Sequence, residues 1–382
     1  MSISESLKRL IPPAVRRRLG MVLDDLRRRK RNPIKEFRVR LSQNKLIREN
    51  YTPDTRKLIV FLTLGRDIVN GGILSISSIC EESTKLKHLH EAEVIMCTIP
   101  GEPSLLKYTK FNNKNYIYRF SQVLSYFSDL QTLMIHIPEH FVGQFLGNLS
   151  ERDFSRLEKI KEVHFNIMLQ NIDLLSPPRC IEELKRLGKV TGTTAHERYS
   201  TLEIRNKLGF PLHKLSVFIS PERYNKKEFN EKENLIIVSH DKHPQKSEIL
   251  NLIARQLPQL RIQVVQDLSY EEFKRVISRA RWTLTFGEGL DGYFIETIFS
   301  GGVSLAVYNS RFFTEDFKSL RTVYDSYETL SSRICVDMKE LDNETAYTDY
   351  QNKQYDLCCK YYKYEEYIKN LELFYKGQYT YR

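Results

Sequence analysis

The chain has 382 residues, of which 41% are hydrophobic and 28% charged, and its formal net charge is +11. These are globular values, and the length holds about two domains with ample core. No apolar run approaches the ~20 residues of a transmembrane helix and no signal-peptide core follows Met1, so neither an integral nor a secreted protein is expected.

The charge is placed unevenly. Residues 1–50 hold fifteen Lys/Arg against five Asp/Glu, so ten of the eleven net positive charges lie in this arm and the body is close to neutral. Leu7, Leu10, Ile11, Val15, Leu19, Val22, Leu23 and Leu26 fall among Arg16–Arg18 and Arg27–Arg31, with a break at Pro12-Pro13. On a helical period much of this makes one apolar and one cationic face. Such a segment lies in a bilayer interface and is drawn to anionic lipid, each basic residue adding about 1 kcal/mol. A solvated arm, a nucleic-acid arm and an Arg-rich transit peptide are the alternatives. The number of apolar residues favours the membrane surface.

Lys57 to Leu62 (KLIVFL) reads as a buried parallel strand, followed by a turn at Gly65, Asn70, Gly71 and Gly72 and a helix from Ile73. A glycine pair at a helix N-terminus lets backbone N–H groups approach a diphosphate closely. Strands then recur at Glu93–Thr98, Tyr116–Phe120, Leu133–His136, Val163–Leu169 and Val190–Thr194, which is a doubly wound α/β pattern. This half ends near Gly209-Phe210-Pro211, with a further strand at Leu215–Ile219 and a charged linker from Asn225 to Glu233. The second half opens with a strand at Leu235–Val238, then the polar loop Ser239-His240-Asp241-Lys242-His243-Pro244-Gln245-Lys246. Helix, strand and helix follow at Ser247–Leu257, Ile262–Val265 and Tyr270–Ala280.

The stretch that organises the rest is Trp282 to Val307. Trp282–Phe286 reads as a strand, Gly287, Gly289 and Gly292 as a turn, Tyr293–Ser300 as a helix stopped at Gly301-Gly302, and Val303–Val307 as a second strand. Ligands sit at the carboxyl ends of such βαβ units. Glu288 stands at the strand end and Glu296 two helical turns later, with seven residues between them. Beyond this, ten of the 22 tyrosines lie after residue 346. Leu357, Tyr361, Tyr364, Ile368, Leu371 and Tyr375 recur at spacings of three and four, one face of a helix. Six cysteines, at 80, 97, 180, 335, 358 and 359, show no Cys-x-x-Cys or Cys/His ligand spacing. Reduced thiols in a cytoplasm and no zinc site follow.

The Glu288-x7-Glu296 spacing, with Gly292 four residues after the first Glu and Gly301 five after the second, resembles the E-x7-E motif of the family-4 retaining glycosyltransferases. The resemblance is specific from about Leu235 to Asn309, general from Lys57 to Asn230, and absent from residues 1–50. It implies a GT-B fold, with two Rossmann-like doubly wound domains facing across a cleft and a C-terminal helix packing back on the first. The corresponding division is an arm at 1–50, an acceptor-side domain at 51–212, a nucleotide-sugar domain at 213–350 and a returning helix at 351–382. By the same resemblance Glu288 binds sugar hydroxyls, Glu296 accepts from ribose hydroxyls, and backbone N–H groups of Gly289, Asp291 and Gly292 face the phosphate. The glycine loop at Gly71-Gly72 also has a family counterpart. The family places Gly-Arg ahead of a diphosphate-binding lysine; Lys246 fits the lysine, but Ser239 and His240 stand where Gly-Arg is expected, and Lys242 is a second substitute. Asp291 occupies a usually apolar place and marks a sugar preference. His136 is the choice for the histidine beside the donor sugar, with His140 and His164 as near alternatives.

What the resemblance implies is a retaining hexosyl-type transferase acting without metal or other cofactor. Its partners are a nucleotide-sugar donor and a saccharide acceptor, lipid-linked, in lipopolysaccharide or O-antigen assembly. It would sit in the cytoplasm on the inner face of the membrane and bind no nucleic acid. The rivals are a sugar-nucleotide epimerase or a phosphorylase on the same fold, and a non-enzymatic basic nucleic-acid-binding protein, consistent with a pI of 9.2.

Overall fold

A computed structural model describes residues 33–195, 197–215 and 219–381. The apolar part of the arm that ends at Leu26 lies outside the described residues. Residues Pro33–Asn50 form helix α1, which is docked on the first domain and is no free tail. Its buried Ile47 joins the core, and the buried Gln43 amide donates to the carbonyls of Leu105 (3.1 Å) and Ile117 (2.8 Å).

Lys57–Thr63 is β1, with every residue from Leu58 to Thr63 buried, as continuous apolar runs are when both faces of a parallel sheet are covered. Helix α2 (Gly71–Lys85), β2 (Glu93–Thr98), β3 (Ile117–Arg119), helix α3 (Phe120–Tyr126) and β4 (Thr132–Pro138) follow. Helices α4 (Val142–Gly147) and α5 (Glu151–Leu157), β5 (Glu162–Leu169), α6 (Pro178–Leu187), β6 (Lys189–Thr194), α7 (Leu202–Leu208) and β7 (Leu212–Lys214) complete the domain. The seven strands pair in the order β3-β2-β1-β4-β5-β6-β7, all parallel. The chain therefore reverses its direction of growth between β1 and β4.

The short β7 is an edge strand that precedes the segment expected to be a strand at Leu215–Ile219. Of that segment, residues 216–218 lie outside the described residues.

The second sheet contains β8 (Glu233–Ser239), β9 (Arg261–Val265), β10 (Ala280–Leu284), β11 (Val303–Val307) and β12 (Val323–Tyr324), in the order β12-β11-β10-β8-β9. Helices α8 (Lys246–Gln256), α9 (Tyr270–Arg279) and α10 (Gly292–Phe299) alternate with them. Here the order reverses between β8 and β10, where Trp282 pairs with Ile236 and Leu284 with Val238. The last strand is only two residues long, too short to carry an alternation that marks it in the sequence.

Three helices end the chain: α11 (Tyr327–Leu341), α12 (Glu344–Tyr361) and α13 (Tyr364–Tyr375). The tyrosine stripe is therefore not one helix face. It breaks at Tyr362-Lys363, both with extended-region φ near −125°. Leu357 and Tyr361 pack with Ile298, Phe299 and Phe317 in the second domain. Beyond the break, Tyr367 and Leu371 enter the core with Ile59, Phe61 and Ile76 of the first domain. The Tyr364 hydroxyl donates to Glu82 (3.0 Å) and that of Tyr375 to Ser83 Oγ (2.6 Å). The chain thus returns to its first domain at its end. Among the described residues no helix is long and apolar enough to cross a membrane.

Candidate active site

In an open parallel sheet the loops on either side of the order reversal diverge to opposite faces and leave a crevice at the carboxyl edge. In the second sheet these are the loop after β8 and the turn after β10, which carry Lys246 and Glu288 to Glu296. The turn is held from both sides. Phe286 N–H donates to Ser239 Oγ (3.1 Å) at the end of β8, and Thr285 Oγ1 donates to the Gly289 carbonyl (2.9 Å). Gly287 and Gly289 both have φ of +79°, a conformation that L side chains rarely adopt.

Glu288 sits at the exposed tip of this turn. The surrounding protein, and then the carboxylates of Asp241 and Glu139, hold its carboxyl above the usual range. Glu296 is buried on α10 and accepts from the Tyr270 hydroxyl (3.0 Å), which is itself 3.0 Å from the Tyr224 hydroxyl. Burial, only partly offset by the two tyrosines, pushes Glu296 up to about 7. Its Oε1 lies 2.9 Å from where a Cβ at Gly292 would stand, so glycine leaves this carboxylate free to fold back toward the helix start. Asp291 has a different duty from the one expected of it. It is the N-cap of α10, accepting from Phe294 N–H (3.0 Å), so a carboxylate already occupies part of the helix end expected to face a phosphate. Burial first, and the charges of Asp241 and Glu288, raise its carboxyl well above the ordinary value.

Lys246 opens α8. Its ammonium donates to the carbonyls of Ser239 (2.5 Å) and Asp241 (3.0 Å) and lies 5.4 Å from the centre of the Phe286 ring. An ammonium has three N–H donors, so one is left for a ligand. Burial lowers its pKa. His240 and Lys242 are exposed on the same loop. His243 turns the other way, stacking on Tyr327 (3.7 Å between centroids), whose ring is parallel to Phe286 at 5.8 Å.

The first domain presents its own reversal, between β1 and β4. Gly71 and Gly72 open α2 there, capped by Asn70, whose side chain accepts from Ile73 N–H (2.9 Å). A Cβ at Gly72 would meet Gln170 Oε1 at 2.8 Å, whereas one at Gly71 meets nothing within 4 Å. His136 is not at this edge. It lies within β4, 1% exposed, stacked on Phe61 (4.1 Å, 2° between planes), with Asn166 donating to its Nδ1 (2.9 Å) and the Phe374 ring of α13 tilted against it at 5.6 Å. Burial and the nearby His164 and His90 push its pKa well down, so the ring is neutral. His164 is half-buried on β5 and hydrogen-bonds Thr191 (2.7 Å). A strand covered on both faces gives no sequence sign of which way a polar side chain points, and here it points into the core. The groups at the strand end are Glu139 and His140. Glu139 accepts from Gln170 N–H (3.4 Å) and Asn171 N–H (3.2 Å), and His140 Nδ1 lies 3.8 Å from its Oε1.

The two edges face each other. The Glu139 carboxylate acts electrostatically on Glu288, Arg311 after β11 pairs with Asp173 after β5, and Tyr270 N–H donates to the Lys110 carbonyl (3.0 Å). Solved structures similar in fold over most of the chain include three enzymes of sugar metabolism by their names or ligands. HepE of Anabaena, in complex with UDP-glucose, superposes with a TM-score of 0.54 at 8% identity, over 84% of this chain and 99% of its own. Trehalose-6-phosphate synthase OtsA follows with 0.52 at 9%, over 84% and 98%. Sucrose-phosphate synthase from Thermosynechococcus elongatus follows with 0.51 at 9%, over 84% and 99%. The fold is GT-B. No family model matches the sequence, and no curated protein matches it.

On this GT-B frame the structure gathers Glu288, Glu296, Gly289, Asp291, Gly292, Lys246, His240 and Lys242 on one wall of the crevice, with Gly71 and Gly72 on the other. Sequence reasoning missed Tyr224, Tyr270, Asp241 and Glu139, which reach the site from different parts of the chain, Tyr270 at the start of α9 and Asp241 between His240 and Lys242, and carry no spacing signal. Among the described residues no group of three His, Cys, Asp or Glu side chains is placed to hold a metal ion.

Proposed function

We propose that the protein is a glycosyltransferase that moves a sugar, with retention and without a metal, from a nucleoside-diphosphate donor to a saccharide acceptor. The observation that carries this reading is the meeting of Glu288, Glu296 and Lys246 at one crevice of a GT-B fold, opposite Glu139 and His140. HepE, similar in fold, was solved with UDP-glucose. Glu296 accepts from the ribose hydroxyls, and Lys246, with His240 or Lys242, neutralises the diphosphate. Glu288 binds the sugar hydroxyls. His140 takes the place at the donor sugar first given to His136. Gly71 and Gly72 let the first domain approach the leaving group.

In the transfer, the bond from the anomeric carbon to the diphosphate oxygen breaks and the acceptor oxygen bonds to that carbon from the same face. The leaving phosphate takes the acceptor's proton. The protein's part is then positional and electrostatic. A lipid-linked acceptor in surface-polysaccharide or O-antigen assembly, met at the cytoplasmic face of the membrane, suits the basic residues 1–50. The test is a screen of nucleotide sugars with NMR of the product. The expected anomer is that of the donor, formed equally with EDTA present. An inverted anomer removes the stereochemical claim, and activity restored to EDTA-treated protein only by Mg²⁺ or Mn²⁺ removes the metal claim.

A pH dependence follows from Glu296. A ribose hydroxyl donates to the carboxylate and not to the protonated acid as well, so nucleoside-diphosphate affinity should rise as pH rises through about 7. The sign for folding is opposite. The folded pKa lies above the ordinary value of 4.5, so the contribution to stability is full below that value and is lost as pH rises through about 7. Phosphate ionisation also strengthens binding with pH, so the measured quantity is the difference between wild type and Glu296→Gln by calorimetry. Equal pH slopes in the two proteins would remove Glu296 from the ribose site.

A further inference from the structure

Helix α1 buries little of itself. Its exposed residues include Ile34 at 63%, Phe37 at 60% and Leu41 at 52%, three large apolar side chains on an 18-residue helix. At 3.6 residues per turn they share a face with Asn44 and Arg48, since the five recur at spacings of three and four. The buried Gln43 and Ile47 lie on a different face.

Asn44 and Arg48 are also walls of a cavity of about 530 Å³ between α1, α3 and the start of α5. Arg48, Arg119 and Arg152 line it with the hydroxyls of Ser121, Ser125 and Ser150. Among the described residues none of these three arginines is in an ion pair. The hydrogen bonds of the Arg119 guanidinium go to neutral acceptors, Gln43 Oε1 at 3.3 Å and Asn44 Oδ1 at 3.4 Å, and the Glu36 carboxylate acts on it from farther off. The one carboxylate in the lining, Asp153, is buried and accepts from Ser150 Oγ at 2.7 Å. Arg156 donates to Ser125 Oγ, so among the described residues the Ser121 hydroxyl is the one in the lining without such a hydrogen bond. Three guanidinium groups without an ion-pair partner beside it match a phosphate, which an arginine fork can meet with two parallel hydrogen bonds. The same helix face thus runs from an apolar stripe into a cationic, hydroxyl-lined recess. That sequence of chemistry matches the profile of a bilayer surface from acyl boundary to headgroup.

We propose that this flank of the first domain is a membrane-docking surface, in which Phe37 and Leu41 enter the interface of an anionic phospholipid bilayer and the Arg48–Arg119–Arg152 recess holds a lipid phosphate. It deepens the membrane reading of residues 1–50 and is independent of glycosyl transfer. Arg119 ends β3 at the carboxyl edge of the sheet, so a membrane held here lies at the crevice end of the domain.

The test is co-sedimentation of the full chain with vesicles of phosphatidylcholine, with and without phosphatidylglycerol. Two double variants at exposed positions are compared, Phe37→Ser with Leu41→Ser and Arg48→Gln with Arg152→Gln, after their thermal unfolding is shown to match wild type. Removing two basic residues should lower partition to the anionic vesicles by roughly thirty-fold and shrink the preference over neutral ones. Removing the two apolar side chains should lower partition by at least about ten-fold, including at high salt, where charge attraction is screened. Wild-type pelleting by both variants overturns the proposal and leaves the membrane reading of the N-terminal residues standing. Failure of the full chain to pellet overturns both. A wild-type dimer that the Phe37/Leu41 variant dissociates also overturns it, by assigning the apolar stripe to a second copy of the chain.

Discussion

Exchanging Glu288 for glutamine should slow sugar transfer by about a hundred-fold while changing nucleoside-diphosphate affinity by less than about three-fold. The substitution keeps the volume and hydrogen-bonding reach of the side chain and removes only its charge. In glycosyl chemistry the reacting carbon becomes cationic at the transition state, so a carboxylate held near it is worth more there than in the ground state. The place proposed for Glu288, at the donor sugar, suits it to this. It is the exposed tip of a turn fixed by Ser239 Oγ and the Gly289 carbonyl, and it sits close enough to Asp241 and Glu139 to feel both charges. In the proposed reading the nucleotide half of the donor is held by Glu296 and Lys246, which the substitution leaves alone. Single-turnover rates and calorimetry on the same protein separate the two. A rate within about three-fold of wild type, or a loss of binding as large as the loss of rate, would sink the assignment.

Alanine at Gly289 should cost about 2–4 kcal/mol of stability, combining a left-handed backbone with a steric overlap. At its φ of +79° a Cβ would stand 2.6 Å from Phe313 Cε2 and 2.9 Å from the Val307 carbonyl oxygen. The ring can move only against Phe294 and Phe317, which pack on it edge-on at 5.5 Å and 5.4 Å, and the carbonyl belongs to the end of β11. Whatever moves also moves Glu288, one residue away, so transfer should fall together with stability. Gly71→Ala is the control, since a Cβ there meets nothing within 4 Å and the position opens a helix. It should change the stability measured by urea unfolding by no more than about 1 kcal/mol in either direction. Equal midpoints for the two variants would show that the turn after β10 is not constrained as described.

Much of this protein was legible in its sequence because the signals are local. A continuous apolar run such as Lys57–Leu62 marks a strand covered on both faces, and strand alternating with helix leaves few topologies open. The spacing of Glu288, Gly292, Glu296 and Gly301 spans a single βαβ turn, so placing those residues together needed only the local chain. Lys246 was legible for the same reason, as a lysine a few residues after the strand Leu235–Val238, although the helix expected from Ser247 begins at Lys246 itself.

What the tertiary structure alone decided are matters of direction and of distant contact. In a sheet packed on both sides either orientation of His136 fits an apolar strand, and only the docking of Phe61 and Phe374 shows that it is core while Glu139 and His140 hold the edge. Asp291 reads as part of a glycine turn, but its carboxylate is engaged by the helix it caps. The tyrosine repeat from Leu357 to Tyr375 keeps its period across Tyr362-Lys363, yet the two halves bury against different domains, because a change of backbone angle at two residues leaves no mark in a hydrophobic period. Tyr270 meets Glu296 across 26 residues of chain. Residues that far apart share no spacing, so the environment that lifts the Glu296 carboxyl to about 7 exists only once the second sheet has closed around it.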